Sequence, residues 1–218
     1  DAEFPVIHGE KGIIVFNLVQ KLEEEKDGLL VEGLRGGNAP NMVPDSCQVV
    51  IRGQGLDAVE EKFDDFMKEK AYPLSLEKDG DRIRIRAGGV SAHGSTPEKG
   101  ENAISYLMAF LAEILEDDHS LKEFANIYNE KIAFQHFGQG IGCGFEDDVS
   151  GKLNFNPGMI KLEDNEIRLT VNVRYPIKSS AEQVYEGIRQ ALKDSKLELI
   201  EGKGDTKPLY VEKDNVLV

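Results

Sequence analysis

The chain has 218 residues and a formal net charge of −14, because 26 lysines and arginines stand against 40 aspartates and glutamates. The length can bury a sizeable core, and 40% hydrophobic with 30% charged residues is typical of a globular protein rather than a disordered one. The acidic balance disfavours nucleic acid and anionic membranes as partners, and no apolar run approaches the roughly 18 residues that cross a bilayer.

The first half of the chain is predicted to hold strands and one helix. Hydrophobic runs predict strands over 11–20, 29–35 and 47–52, and two glycines with two prolines make 36–44 a loop. A helix is predicted where apolar residues recur with a 3.6-residue period, at Leu56, Val59, Phe63, Phe66 and Met67. Asp79 and Gly80 separate two alternating runs, which predicts a hairpin with its turn at these residues.

The second half is predicted to alternate helices with hairpin strands. Thr96 and Pro97 have the character of a helix cap and first helical residue. The helix that follows carries helically spaced apolar residues at Ile104, Leu107, Met108, Leu111, Ile114 and Leu115. We expect a shorter helix within 119–137, a hairpin of 159–162 with 167–173, a helix over 181–192 and a strand over 197–200.

The predicted order from residue 82 is strand, helix, strand, strand, helix, strand. This is the order of a ferredoxin-like βαββαβ core, an antiparallel sheet with helices on one face. Residues 11–81 would then form an additional β-rich subdomain in front of a ferredoxin-like subdomain at 82–204. The fold class is therefore α+β, and the two subdomains could share one extended sheet.

The motifs do not make a complete active site. No two of the four histidines have metal-ligand spacing, and neither cysteine has a Cys or His partner nearby. The chain also lacks a Gly-x-Ser-x-Gly elbow and a phosphate-binding glycine loop. Two cysteines are too few for a disulfide framework, so we expect a reducing, cytoplasmic location.

Three residues stand out as candidates for chemistry. His93 is flanked by small residues at a strand-to-helix turn, where an imidazole can donate a hydrogen bond to a developing oxyanion. Arg174 ends the polar face of a strand, and its guanidinium suits a carboxylate. Asn41 lies in the 36–44 loop and could hold a carboxylate or carbonyl. The alternatives are a surface histidine in a capping turn, a solvated arginine and a turn asparagine.

Four segments together resemble a known family. They are Asp1-Ala-Glu-Phe-Pro-Val-Ile-His-Gly-Glu-Lys-Gly12, Asn38-Ala-Pro-Asn41-Met-Val-Pro44, the run from Ser91 to Ala103, and Asn172-Val-Arg174-Tyr-Pro176. The third resembles the lid-domain signature of the co-catalytic zinc aminoacylase and carboxypeptidase clan. The first narrows the resemblance to bacterial dipeptidases of the PepV type. The match covers nearly the whole chain in the family's order.

The resemblance implies the lid, or substrate-capping, domain of a dipeptidase with two zinc ions. His93 matches the histidine that stabilises the oxyanion, Arg174 and Asn41 match the pair that holds the C-terminal carboxylate, and Asp1 matches one metal ligand. The other ligands and the general base are missing, so this chain should hydrolyse nothing alone. Residues 1–10 would end a catalytic-domain segment and form a hinge, and 205–218 would return toward that domain.

The implied partners are a dipeptide and the catalytic domain of the same polypeptide, and the intact enzyme is expected to be a monomer. The chain opens without Met and ends without a closing helix signal, so we expect it to be a piece cut from a longer protein. Two alternatives remain: a stand-alone ferredoxin-like module that senses a small carboxylate, and an oligomerisation module. Titration with zinc and with a dipeptide distinguishes the first alternative from the lid domain, because a sensor would bind the dipeptide at micromolar concentration. A dimer in gel filtration would favour the second alternative.

Overall fold

The computed structural model describes residues 9–212. Twelve strands are assigned there: β1 Gly9–Glu10, β2 Gly12–Lys21, β3 Leu29–Gly36, β4 Ser46–Gly53, β5 Leu74–Asp79, β6 Arg82–Gly88, β7 Glu146–Asp147, β8 Gly151–Lys152, β9 Asn154–Glu163, β10 Glu166–Tyr175, β11 Glu198–Ile200 and β12 Leu209–Tyr210. The helices are α1 Leu56–Lys70, α2 Ala103–Ile114, α3 Lys122–Lys131 and α4 Ala181–Leu192. None of these helices is long and apolar enough to span a membrane.

Eight strands form one antiparallel sheet in the order β11-β2-β10-β9-β3-β4-β6-β5. Period-2 alternation explains its two faces, as β10 shows. Residues Ile167, Leu169, Val171 and Val173 are fully buried in the core to which all four helices contribute. The polar residues between them point to the opposite side, which we call the open face. The predicted α+β class, with an antiparallel sheet and helices on one face, is confirmed.

The ferredoxin-like strand order is present, but its first strand differs from the prediction. The neighbours β11, β2, β10 and β9 have the order expected of that core when β2 is its first strand. Residues 82–88 were predicted to be that first strand, but they form β6 and pair with β4 and β5. The β5–β6 hairpin therefore spans the predicted boundary between the subdomains 11–81 and 82–204.

The other half of the sheet continues the ferredoxin-like half without a gap. Strand β3 pairs with β9 through Arg35 and Gly36, and with β4 along most of its length. Strand β9 is consequently covered on both sides, by β10 and by β3. An extended shared sheet is thus observed.

Two local predictions need correction. The β5–β6 turn consists of Gly80 and Asp81 rather than Asp79 and Gly80, because Asp79 pairs with Arg82. Only Gly80 of these turn residues has a positive φ, of 61°. Thr96 makes no capping hydrogen bond, and Pro97 opens a three-residue 3₁₀ turn. The longer helix α2 begins at Ala103, where Asn102 accepts a hydrogen bond from the Ile104 amide.

The first and last described strands form a separate ribbon. Strands β1 and β12 pair antiparallel, with Gly9 opposite Tyr210. Ile13 continues the ribbon, because its amide and carbonyl exchange hydrogen bonds of 2.8 and 3.0 Å with Thr206. The segments on which the chain enters and leaves the described fold therefore run side by side.

Candidate functional site

Two loops, 37–45 and 89–96, cover one end of the open face and carry the candidate residues Asn41 and His93. The amide of Val43 donates to the Ala92 carbonyl at 2.8 Å, and the amide of Gly94 donates to the Asn41 carbonyl at 2.7 Å. Met42 and His93 lie opposite each other in the resulting antiparallel bridge. The backbones of Asn41 and His93 are therefore adjacent.

The third candidate reaches the same place from β10. Arg174 is two residues from Asn172, so both lie on the open face. A Cβ built on Gly94 would lie only 3.1 Å from the Asn172 Oδ1 atom, so the turn after His93 packs directly on this strand. The Arg174 charge also acts on His93. The structure thus brings together His93, Asn41 and Arg174.

His93 has a defined donor side. Its Nδ1 atom accepts a hydrogen bond from the Ser95 amide at 3.3 Å and lies 2.7 Å from the Ser95 hydroxyl. Partial burial, with the Arg174 charge nearby, lowers the pKa of His93 from its usual value. In the neutral ring the proton then resides on Nε2, because Nδ1 is the acceptor. The half-buried imidazole therefore offers an Nε2–H donor.

Arg174 is a half-buried cation with a guanidinium nitrogen that is unpaired within residues 9–212. Its Nε atom is buried and has no partner among the described residues. Burial lowers the pKa of the guanidinium, while the charge of Glu10 acts in the opposite direction. An arginine remains charged regardless. The group therefore suits an anionic ligand such as a carboxylate.

Lys11 adds a second cation that the sequence analysis did not single out. Its Nζ atom donates to the Lys152 carbonyl and, at 2.8 Å, to Asn154 Oδ1. Asn154 lies directly opposite Arg174 in the β9–β10 pairing. Burial lowers the pKa of Lys11, with Asp147 opposing this shift and Arg174 adding to it. This end of the open face therefore carries two cations, Lys11 and Arg174, with the acidic groups of Glu10 and Asp147 acting on them.

Asparagines line the open face next to these cations. Asn156 and Asn172 are opposite each other in the register, and both are buried. Asn154 and Asn156 were not predicted as site residues from the sequence. A visible signal was the alternation in Asn154-Phe-Asn156, which places both amides on the face of Arg174.

A short ribbon of β7 and β8 is anchored beside this site. The Asp147 carboxylate accepts hydrogen bonds from the amides of Val149, Ser150 and Lys178 and from the Ser150 hydroxyl. Partial burial alone would raise the pKa of Asp147, but these bonds outweigh it and lower the pKa to about 2. The carboxylate thus ties the ribbon to the segment that follows Arg174.

We expect Asp147→Asn to destabilise the chain by about 1–2 kcal/mol at pH 7, since bonds to a charged acceptor are lost. The native pKa of about 2 lies below the unfolded value of about 3.9. The stabilisation is therefore complete above pH 4 and disappears as the pH falls toward 2. Denaturant unfolding from pH 7 to 2 measures this. Asp148→Asn is the control because its carboxylate is exposed and pairs with Lys178 at the surface, so its loss should cost little at pH 7. A difference that stays constant to pH 2 would contradict the assignment.

The described residues do not form a metal centre. No group of three or more His, Cys, Asp or Glu side chains within 9–212 could hold a metal ion. Asp1, the metal ligand implied by the resemblance, lies outside the described residues. Residues 9–212 therefore do not provide a ligand set for zinc.

Fold and site together define an α+β domain with a ferredoxin-like half, in which Arg174, Lys11 and buried asparagines line one end of the open face. A family model described as a peptidase dimerisation domain matches residues 80–199. The chain belongs to this family, which confirms the resemblance found in the sequence motifs.

Similar proteins are named as dipeptidases. The chain is 33% identical to a "Putative dipeptidase" of Staphylococcus epidermidis and 30% identical to "Putative dipeptidase YtjP" of Bacillus subtilis, and all of it aligns in both cases. It covers 47% of each relative, so it spans about half their length. The solved aminoacylhistidine dipeptidase of Vibrio alginolyticus is 12% identical, with a TM-score of 0.45, over 96% of this chain and 47% of that one.

Proposed function

We propose that this chain is the lid domain of a zinc-dependent dipeptidase. In the intact enzyme it caps a dinuclear zinc site, binds the C-terminal carboxylate of a dipeptide and stabilises the oxyanion formed during peptide hydrolysis. The supporting observation is the convergence of His93, Asn41 and Arg174 at one end of the open face, in a chain of the peptidase dimerisation domain family.

His93 supplies the electrostatic part of this function. As the peptide carbonyl is attacked, negative charge grows on its oxygen, and the Nε2–H of the neutral imidazole donates to it. Ser95 orients the ring through Nδ1, so the donor needs no reorganisation during the reaction. One such donor contributes roughly 10²–10³ in turnover.

Asn41 and Arg174 select the substrate, and we call them the carboxylate clamp. The guanidinium of Arg174 pairs with the free C-terminal carboxylate, and the exposed Asn41 amide donates to the same group. The anchored backbones hold this pair ready before the substrate arrives. A dipeptide is thereby distinguished from a peptide whose C-terminal carboxylate is blocked.

The zinc ions and the water-activating base belong to a catalytic domain outside this chain, and Asp1 of this chain supplies one zinc ligand. The chain alone would therefore be inactive. The proposed enzyme is a monomer in which strands β3 to β6 supply, within one chain, the surface that a partner's lid would otherwise give. Two buried free cysteines support a cytoplasmic location.

The test compares the 218-residue chain with the whole polypeptide that contains it. We expect the whole protein to hydrolyse dipeptides, to lose activity with a chelator and to regain it with Zn²⁺. The isolated chain should neither hydrolyse a dipeptide nor bind Zn²⁺ or a dipeptide at micromolar concentration in calorimetric titration. Micromolar dipeptide binding by the isolated chain would favour a carboxylate sensor instead.

A further inference from the structure

Asn156 is a buried amide beneath the loop that carries Asn41. Its side chain is 0% exposed and lies on the open face of β9. The Nδ2 atom donates to the carbonyl oxygen of Pro40 at 2.7 Å and to that of Met42 at 2.9 Å. These carbonyls stand on either side of Asn41, so one amide holds the backbone before and after it.

Glycines seat the same loop on the sheet. A Cβ on Gly158 would lie 2.3 Å from the Pro40 carbonyl oxygen, and a Cβ on Gly37 would lie 1.9 Å from the Gly158 carbonyl oxygen. The register between β9 and β10 shifts here, so β9 bulges toward the loop. The loop backbone therefore rests on the bulge with no space for a side chain between them.

The backbone of Asn41 is held in place, whereas its side chain is not. The backbone is fixed through its own carbonyl, which accepts from Gly94, and through Asn156 on either side. The side chain is exposed and has no hydrogen-bond partner among the described residues. A free amide on a fixed backbone is the arrangement expected of a preorganised binding group.

We propose that Asn156 is a positioning residue that sets Asn41 at its place in the carboxylate clamp. The inference rests on the proposed function, because it assigns Asn156 an effect on carboxylate binding. Both acceptors of Asn156 are carbonyls, so only a side chain that donates can hold them. A carboxylate at this position would face two carbonyl oxygens and would release the loop.

The experiment uses Asn156→Asp in the whole dipeptidase. We expect KM for a dipeptide with a free carboxylate to rise roughly 10-fold while kcat changes less than about 2-fold, because the loop that carries Asn41 shifts. The matched dipeptide amide should show no rise in KM. Gly158→Ala should give the same pattern, since its Cβ displaces the Pro40 carbonyl. A crystal structure of either variant should show residues 40–42 moved from β9.

Two variants control for a general loss of stability. Asn129→Asp removes an amide that donates to the Met108 carbonyl at 2.9 Å, away from the clamp. Gly33→Ala adds a methyl group to open space. Both should keep the KM of the wild type, and a KM rise equal to that of Asn156→Asp would overturn the proposal.

Kinetics of Arg174→Ala distinguish a failure of the positioning role from a failure of the proposed function. If that variant selectively weakens the free-carboxylate substrate but Asn156→Asp and Gly158→Ala do not, the positioning role is wrong and the proposed function stands. If Arg174→Ala instead weakens the acid and the amide substrate equally, the carboxylate clamp itself is wrong.

Discussion

In the proposed dipeptidase, His93→Ala should lower kcat roughly 10²–10³-fold while leaving KM nearly unchanged. The reason is that its Nε2–H bond strengthens only as charge develops on the peptide oxygen. The ground-state carbonyl is a weaker acceptor, so substrate binding loses little. Steady-state kinetics on one dipeptide over a range of concentrations gives both constants. His93→Gln, which retains an amide donor, should recover part of the lost turnover.

His119→Ala is the matched control for the loss of an imidazole. His119 also has Nδ1 as an acceptor, from the Leu121 amide at 3.1 Å, and its Nε2 atom lies 3.2 Å from the Leu29 carbonyl. It is near the end of β2 opposite to the site. This variant should lose stability but retain kcat. Equal turnover of the His93→Ala variant and the wild type would remove His93 from the mechanism.

Arg174→Ala should raise KM roughly 10- to 100-fold for dipeptides with a free C-terminal carboxylate. A charged hydrogen bond is worth about 1.5–3 kcal/mol, and the amide of the same dipeptide cannot form it. The amide should therefore lose little affinity, and the substrate preference should nearly disappear. Parallel kinetics on the acid and amide forms measures the effect. Arg174→Lys should recover only part of it, because lysine lacks the planar fork.

Arg168→Ala controls for the loss of a cation from the same face. Arg168 lies on the open face of β10 and forms an ion pair with Glu166. It lies toward the other end of the strand, so its removal should change neither KM. If Arg174→Ala weakens the acid and amide substrates equally, the guanidinium does not read the carboxylate.

The strands were predictable because their alternation directly records burial. In the predicted strand 167–173, the apolar residues 167, 169, 171 and 173 alternate with polar ones, and all four are buried. Pairing was not predictable in the same way. Both 12–21 and 82–88 have strand character, and only the contact between β2 and β10, about 150 residues apart, decides which is the first ferredoxin-like strand. Local patterns do not contain that choice.

The candidate site shows a similar division. His93, Asn41 and Arg174 were found because their motifs resemble a family and their residue types suit its chemistry. Asn156 and Lys11 were missed, because a polar residue buried beneath a loop has the same local pattern as one that faces water. The start of α2 was misjudged for a related reason: Thr96-Pro97 and Asn102 both resemble caps, and only the packing of Ala103 and Ile104 separates them.

The ribbon of β1 and β12 holds the two ends of the described fold at one place. Its strands are joined by hydrogen bonds, with Gly9 opposite Tyr210, so neither strand can slide along the other without breaking these bonds. In the proposed enzyme, both connections to the catalytic domain would therefore leave the lid side by side. A change in the angle between the two domains would then carry the imidazole and the guanidinium together, as one unit.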